Sequence, residues 1–158
     1  MRLATLPILL GLASLGTAQE RIRDVVYLKQ AGTAFTLDVF KPARPNGITV
    51  VHLVSGGWVS DHSGINPMLA QGANAAGFTM VQVVHGAQPR YKVPEIVGQV
   101  QRAVRYLRAN ASQYGIDPAR IGLTGGSAGG HLSLMIGALH ADGNPNAADP
   151  VERFPARV

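Results

Sequence analysis

The period of the apolar positions changes several times along the chain, and each change marks an element. Phe35, Leu37 and Val39 alternate with Thr36 and Asp38. That two-residue repeat predicts a strand over 35–40, the first set facing inward and the second outward. Val25 to Leu28 reads as a short strand before it, and Ala31-Gly32-Thr33 turns between the two, so an antiparallel hairpin is expected. Ile48 to Val54, Phe78 to Val84 and Arg120 to Thr124 read as strands buried on both faces.

Between those runs the period lengthens to that of a helix. Ile96, Val97, Val100, Val104, Leu107, Ala111 and Tyr114 recur at a spacing near 3.6, predicting one helix from Pro94 to Tyr114 that Gly115 stops. Pro67 to Ala76 is a shorter helix, with Asn66 as N-cap and Gly77 just past its end. A glycine- and serine-bearing loop spans Ser55 to Asn66. A glycine-rich turn over Gly125 to Gly130 leads into a small-residue helix from Ala128 to His140. From Ala141 the chain is rich in Gly, Pro, Asn and Asp and reads as a loop with no further helix. Strands alternating with helices through short links imply parallel βαβ units, so the fold class is α/β with the two leading strands as an antiparallel edge.

Composition narrows the class. The 158 residues are 46% hydrophobic and 15% charged, which describes a globular chain rather than a disordered one. Without cysteine there is neither a disulfide scaffold nor a thiolate metal site, and no metal or cofactor is expected. No apolar run reaches the ~20 residues of a membrane span. Met1 and Arg2, the apolar stretch Leu3 to Leu15, and Gly16-Thr17-Ala18 form the layout of a secretory signal peptide over 1–18. Residues 19–158 would then be the mature domain, secreted or periplasmic. The net charge of +5 is spread along the chain, grouped only at Arg102, Arg105 and Arg108. That spacing reads as a solvated helix stripe, and nucleic acid is not expected as a partner.

Gly125-Gly126-Ser127-Ala128-Gly129 fits G-x-S-x-G between a strand and a helix. A nucleophilic serine on such a turn is strained, and a glycine two residues away on each side removes the side chains that would clash. The following helix aims its free N–H groups and positive dipole end at the site, so Ala128 N–H would hold an oxyanion. Other glycine-loop chemistries fail on spacing. His131, not lysine, follows Gly130, and no two glycines are two residues apart, so neither a P-loop nor a dinucleotide fingerprint is present.

The run Tyr106-Leu107-Arg108-Ala109-Asn110, Tyr114-Gly115-Ile116-Asp117-Pro118, Arg120-Ile121-Gly122 and Gly126-Ser127-Ala128-Gly129-Gly130-His131-Leu132 resembles the α/β-hydrolase esterases. It is most similar to bacterial esterases of the hormone-sensitive-lipase-like and BD-FAE-type (feruloyl/acetylxylan-esterase-like) groups, over about Val25 to Leu139. The resemblance implies a serine carboxylesterase with a Ser-Asp-His triad acting on small acyl esters, in secreted members often esters on plant polysaccharides. Val54-Ser55-Gly56-Gly57-Trp58 matches the family's His-Gly-Gly-Gly-Trp with serine for histidine and one glycine fewer. Gly56 and Gly57 would complete the oxyanion hole, and Trp58 would pack at the pocket rim. His85-Gly86-Ala87-Gln88-Pro89-Arg90 stands where relatives carry Asp-Tyr-Arg. His85 is a candidate substrate contact at a strand's carboxyl end. Gln99 replaces a family aspartate, so one helix–loop contact is expected to be lost.

A nucleophilic serine also needs a base and an orienting carboxylate, which in this fold follow it in the chain. His52, His62, His131 and His140 are each poorly placed for that role, and Asp142 and Asp149 are no better. The short length keeps a flavodoxin-like nucleotide binder, with phosphate compounds at Ser127, as a minor alternative; two main readings stay open. The chain is the amino-terminal part of an incomplete α/β-hydrolase fold, without triad Asp and His and with little turnover of its own. Alternatively it is an inactive binding or interaction module, self-associating through an open sheet edge.

Overall fold

The computed structural model describes residues 20–158; the expected leader over 1–18 lies outside them. Strands β1 (Glu20–Gln30) and β2 (Thr33–Lys41) form the expected hairpin, each longer than its apolar pattern. Then follow β3 (Thr49–Val54), α1 (Pro67–Ala75), β4 (Thr79–Val84), α2 (Val93–Ala109), α3 (Ala111–Tyr114), β5 (Ile121–Thr124) and α4 (Ala128–Leu139). One sheet holds all five strands in the order β1-β2-β4-β3-β5. β3 runs parallel to β4 on one side and β5 on the other, whereas β2 is antiparallel to both β1 and β4. Parallel neighbours require crossovers, and α1 and α2–α3 supply them.

Helices cover both faces of the sheet. Leu37, Val39, Val51, Leu53, Val81 and Val83 share the larger core with Val100 and Leu107 of α2 and Leu132 and Ile136 of α4. Phe40 and Met80 point the other way and pack with Ala70 of α1. This second layer corrects the expectation that Thr36 and Asp38 face outward: both are buried. Asp38 is tolerated there because Arg21 lies 2.6 Å from its carboxylate and the Asp24 N–H donates to it. β4, in the middle, is buried at every position. β5 departs from the expected third buried strand, since Gly122 and Thr124 are exposed on an edge with β3 as its sole neighbour among the described residues.

Three further details differ from the sequence pattern. The expected helix 94–114 breaks at Asn110, whose side-chain amide and backbone N–H both donate to Tyr106 O and end α2 there. The tail is not all loop: Pro150–Arg153 forms a 3-10 helix capped by Asp149, which accepts from Val151 N–H. Nor is the arginine ridge a solvated stripe. Arg102 pairs with Asp149 and Glu152, Arg105 donates to Phe154 O and Asp142 O, and Arg108 donates to Pro118 O, Pro155 O and Arg157 O. The ridge clamps the tail onto α2.

Candidate active site

The turn between β5 and α4 is built by close backbone packing. A Cβ on Gly125 would sit 2.6 Å from the Gly129 carbonyl carbon, and one on Gly129 would sit 2.9 Å from Leu53 O at the end of β3. Either contact is far inside van der Waals range, so both positions must be glycine. Gly126 has open space around it. Pressed between these glycines, Ser127 adopts φ 49° and ψ −119°, a left-handed-side backbone that a side-chain-bearing residue rarely takes. Ser127 is exposed, and among the described residues no hydrogen bond engages its hydroxyl. Its carbonyl accepts from His131 N–H, whereas Ala128 N–H, the first of α4, has no backbone acceptor among the described residues.

The segment after β3 turns tightly. Gly56 N–H donates to Val59 O and Val59 N–H to Gly56 O, closing a two-residue turn in which Gly57 and Trp58 both have positive φ. Gly56 N–H is therefore engaged, while Gly57 N–H has no acceptor among the described residues. The Trp58 ring stands edge-on to the His131 imidazole with centroids 5.2 Å apart, and its carbonyl accepts from Gln88 N–H. Trp58 thus joins the loop after β3 to both the nucleophile helix and the loop after β4.

His85 is only 2% exposed. Its backbone N–H donates to Ser60 Oγ, and its Nδ1 lies 2.7 Å from Gly86 O, which assigns the proton to Nδ1 and leaves Nε2 buried without a partner. Burial pushes this imidazole below its ordinary pKa, against the opposing effect of the Gly86 bond. Gln99 makes a helix–loop contact of its own, its Oε1 accepting from Gly86 N–H at 2.8 Å.

No histidine bonds to Ser127. His52 lies within β3, His131 faces Trp58, and His140 caps α4 in the left-handed conformation. His62 belongs to a relay without counterpart in the sequence reading: Nε2 is 2.9 Å from Thr36 Oγ1, and Nδ1 is 3.3 Å from Asp24. Those three residues are too far apart in the chain for spacing to reveal them. No three His, Asp or Glu side chains among the described residues are grouped to hold a metal ion. No helix among them is long and apolar enough to cross a membrane.

Residues 37–153 match the BD-FAE family. Among curated proteins, the chain is 42% identical over 59 residues to the probable carboxylic ester hydrolase LipM of Mycobacterium tuberculosis, covering 37% of this chain and 14% of that protein. It is 33% identical over 103 residues to the carboxylesterase NlhH of the same organism, covering 63% and 31%. The acetyl ester-xyloside bifunctional hydrolase of Caldicellulosiruptor lactoaceticus superposes with a TM-score of 0.67 at 27% identity, over 82% of this chain and 48% of that one. A thermophilic esterase of Thermogutta terrifontis shares the fold, with a TM-score of 0.71 at 23% identity over 89% and 50%. The chain therefore spans about half of these solved structures, and less than a third of the curated relatives.

Proposed function

The chain belongs to the BD-FAE family of α/β-hydrolases, and from that premise we propose that it is the nucleophile-bearing part of a secreted serine carboxylester hydrolase. The observation that carries this reading is the backbone of Ser127. An exposed serine at φ 49°, at the head of a helix whose first N–H is free, is the arrangement acyl transfer needs.

Ser127 Oγ attacks the ester carbonyl carbon, and the carbonyl oxygen takes up the negative charge. Ala128 N–H and Gly57 N–H are the amides without another acceptor. Gly56 contributes by closing the turn that presents Gly57, and its own N–H reaches an oxyanion only if it leaves Val59 O. Collapse expels the alcohol and leaves an acyl-serine, which water then hydrolyses. The hydroxyl proton needs a base. With no histidine bonded to Ser127, the triad histidine and carboxylate come from polypeptide beyond these 158 residues, and this chain alone has little turnover. Small acyl esters are the substrates, with carbohydrate-linked acetyl or feruloyl esters among them, and the likeness to an acetyl ester-xyloside hydrolase supports the acetyl case. The exposed leucines of α4, Leu134 at 78% and Leu139 at 47%, favour a second reading, an inactive module that binds another surface.

Sequencing the gene past codon 158 and assaying the product separates the two. The expected result is a continuing frame with further strands, then Asp and His, whose product hydrolyses p-nitrophenyl acetate and loses that activity in Ser127→Ala. A stop followed by unrelated sequence, together with no turnover, overturns the hydrolase reading.

A further inference from the structure

A cavity of ≈ 400 Å³ opens beside the site, outside the Ser127 turn. Phe35 and Thr36 of β2, Val84 at the end of β4, and Ala87 and Tyr91 in the loop beyond form its walls. The rings of Phe35 and Tyr91 meet edge to face at 5.4 Å, and both are nearly fully buried. A Cβ at Gly86 would fall 2.5 Å from the Tyr91 ring, so that glycine is what lets Tyr91 close the wall.

The charged groups on the rim are already committed. Arg90 donates to Ala31 O and lies over the Tyr91 ring. Asp61 accepts from the backbone and hydroxyl of Ser63, and His62 is held between Thr36 and Asp24. Ser60, His85 and Gln88, also in the lining, are uncharged, since burial favours the neutral form of His85. An occupant would meet mainly aromatic and aliphatic walls without a free charge to pair with, so the cavity suits an uncharged, largely apolar group.

Its place in the sheet relates it to Ser127. The cavity lies where β4 ends and antiparallel β2 begins, and Ser127 lies where β5 ends. All three points are on one edge of the sheet, with β3 between β4 and β5. Two strand spacings separate β4 from β5, about 10 Å. Trp58 links the two places: its carbonyl accepts from Gln88 N–H on the cavity side, and its ring stands edge-on to His131 on the nucleophile side.

We propose that this cavity receives the uncharged alkyl or aryl end of an ester arm whose carbonyl sits at Ser127, two to three strand spacings or roughly 10–14 Å away. The proposal rests on Ser127 being the nucleophile and adds a preference for long-armed esters over short ones. The chain's single tryptophan, Trp58, supplies the readout.

In a Ser127→Ala background, which prevents turnover, Trp58 emission is titrated with 4-phenylbutyl acetate and with ethyl acetate. The aryl ester is expected to bind at least tenfold more tightly. Ala87→Phe, which fills the cavity, is expected to remove that advantage and leave ethyl acetate unaffected. Ala34→Phe, at the exposed rim of the same cavity, makes the same test should Ala87→Phe lower the melting temperature. Equal affinity for both esters, or an aryl preference that survives both filling variants, overturns the proposal. Because binding is read without Ser127 chemistry, loss of the hydrolase reading and loss of the cavity assignment are separate results. A full-length product without Ser127-dependent turnover overturns the first, and absent aryl preference overturns the second.

Discussion

Gly125 and Gly129 face each other so closely that a methyl group on the first would lie 2.6 Å from the carbonyl carbon of the second. The contact forces the chain from β5 into α4 without a longer turn, and Ser127 at its apex takes up the strain. Gly125→Ala must push the end of β5 and the first turn of α4 apart. We expect it to cost about 2–3 kcal/mol, seen as a melting temperature lower by roughly 5–10 °C. Gly126→Ala, with open space around it, is expected to stay near the wild type. Equal effects of the two would show that the packing does not shape the turn.

Strain at Ser127 predicts a gain on its relief. A non-glycine residue in this region costs about 1–3 kcal/mol, and glycine loses ~0.5–1 kcal/mol of that advantage through its freer unfolded chain. Ser127→Gly is therefore expected to stabilise the protein by about 1 kcal/mol, whereas Ser127→Ala, which keeps a Cβ, gives no such gain. Calorimetry of the two variants side by side makes the comparison.

Arg102 holds the tail through Asp149 and Glu152, and donates to the carbonyl of Tyr27 in β1 on its other side. The two acids are more than a third exposed, so solvent screens much of their attraction. Arg102→Met is expected to cost only about 1 kcal/mol overall, yet to release the 3-10 helix at Pro150–Arg153. Limited proteolysis should then cut within 149–157 well before it cuts α2, and unchanged protection there would show that the ridge does not hold the tail.

Burial lowers the pKa of His85, and of half-buried His52, below the ordinary value. The unfolded chain takes up a proton on each near pH 6.5, while the folded protein does so only at lower pH. Stability is thus fully present above about pH 6.5 and falls as the pH drops from there toward the folded values. Urea unfolding at pH 7.5 and pH 5.5 should show the loss, and His85→Asn should shrink it. A midpoint independent of pH over that interval would contradict the burial of these rings in their neutral form.

Gln99 fills the position where an aspartate was expected and accepts from Gly86 N–H, while its amide donates to Gln30. Gln99→Leu keeps the volume and leaves a buried N–H unsatisfied. The expected cost is about 1–3 kcal/mol, measured as a lower urea midpoint with an unchanged slope.

The chain's local grammar determined much of this protein. Continuous apolar runs marked β3 and β4, Asn66 and Gly77 bounded α1, and Gly125 and Gly129 around Ser127 marked the turn whose backbone is strained. Those features are short in sequence, and their chemistry depends on neighbours a few residues away. Whatever depends on distant partners waited for the tertiary structure. Asp38 alternates as a solvent-facing residue would, but α1 covers that face and Arg21 neutralises it. Arg102, Arg105 and Arg108 share a helix face that looks solvated until the tail folds back onto it. The orphaned Nε2 of His85, the Asp24–His62–Thr36 relay and the cavity beside them arise where β2, β4 and their loops converge. Local periodicity reports which face of an element is apolar; only packing decides what lies against it.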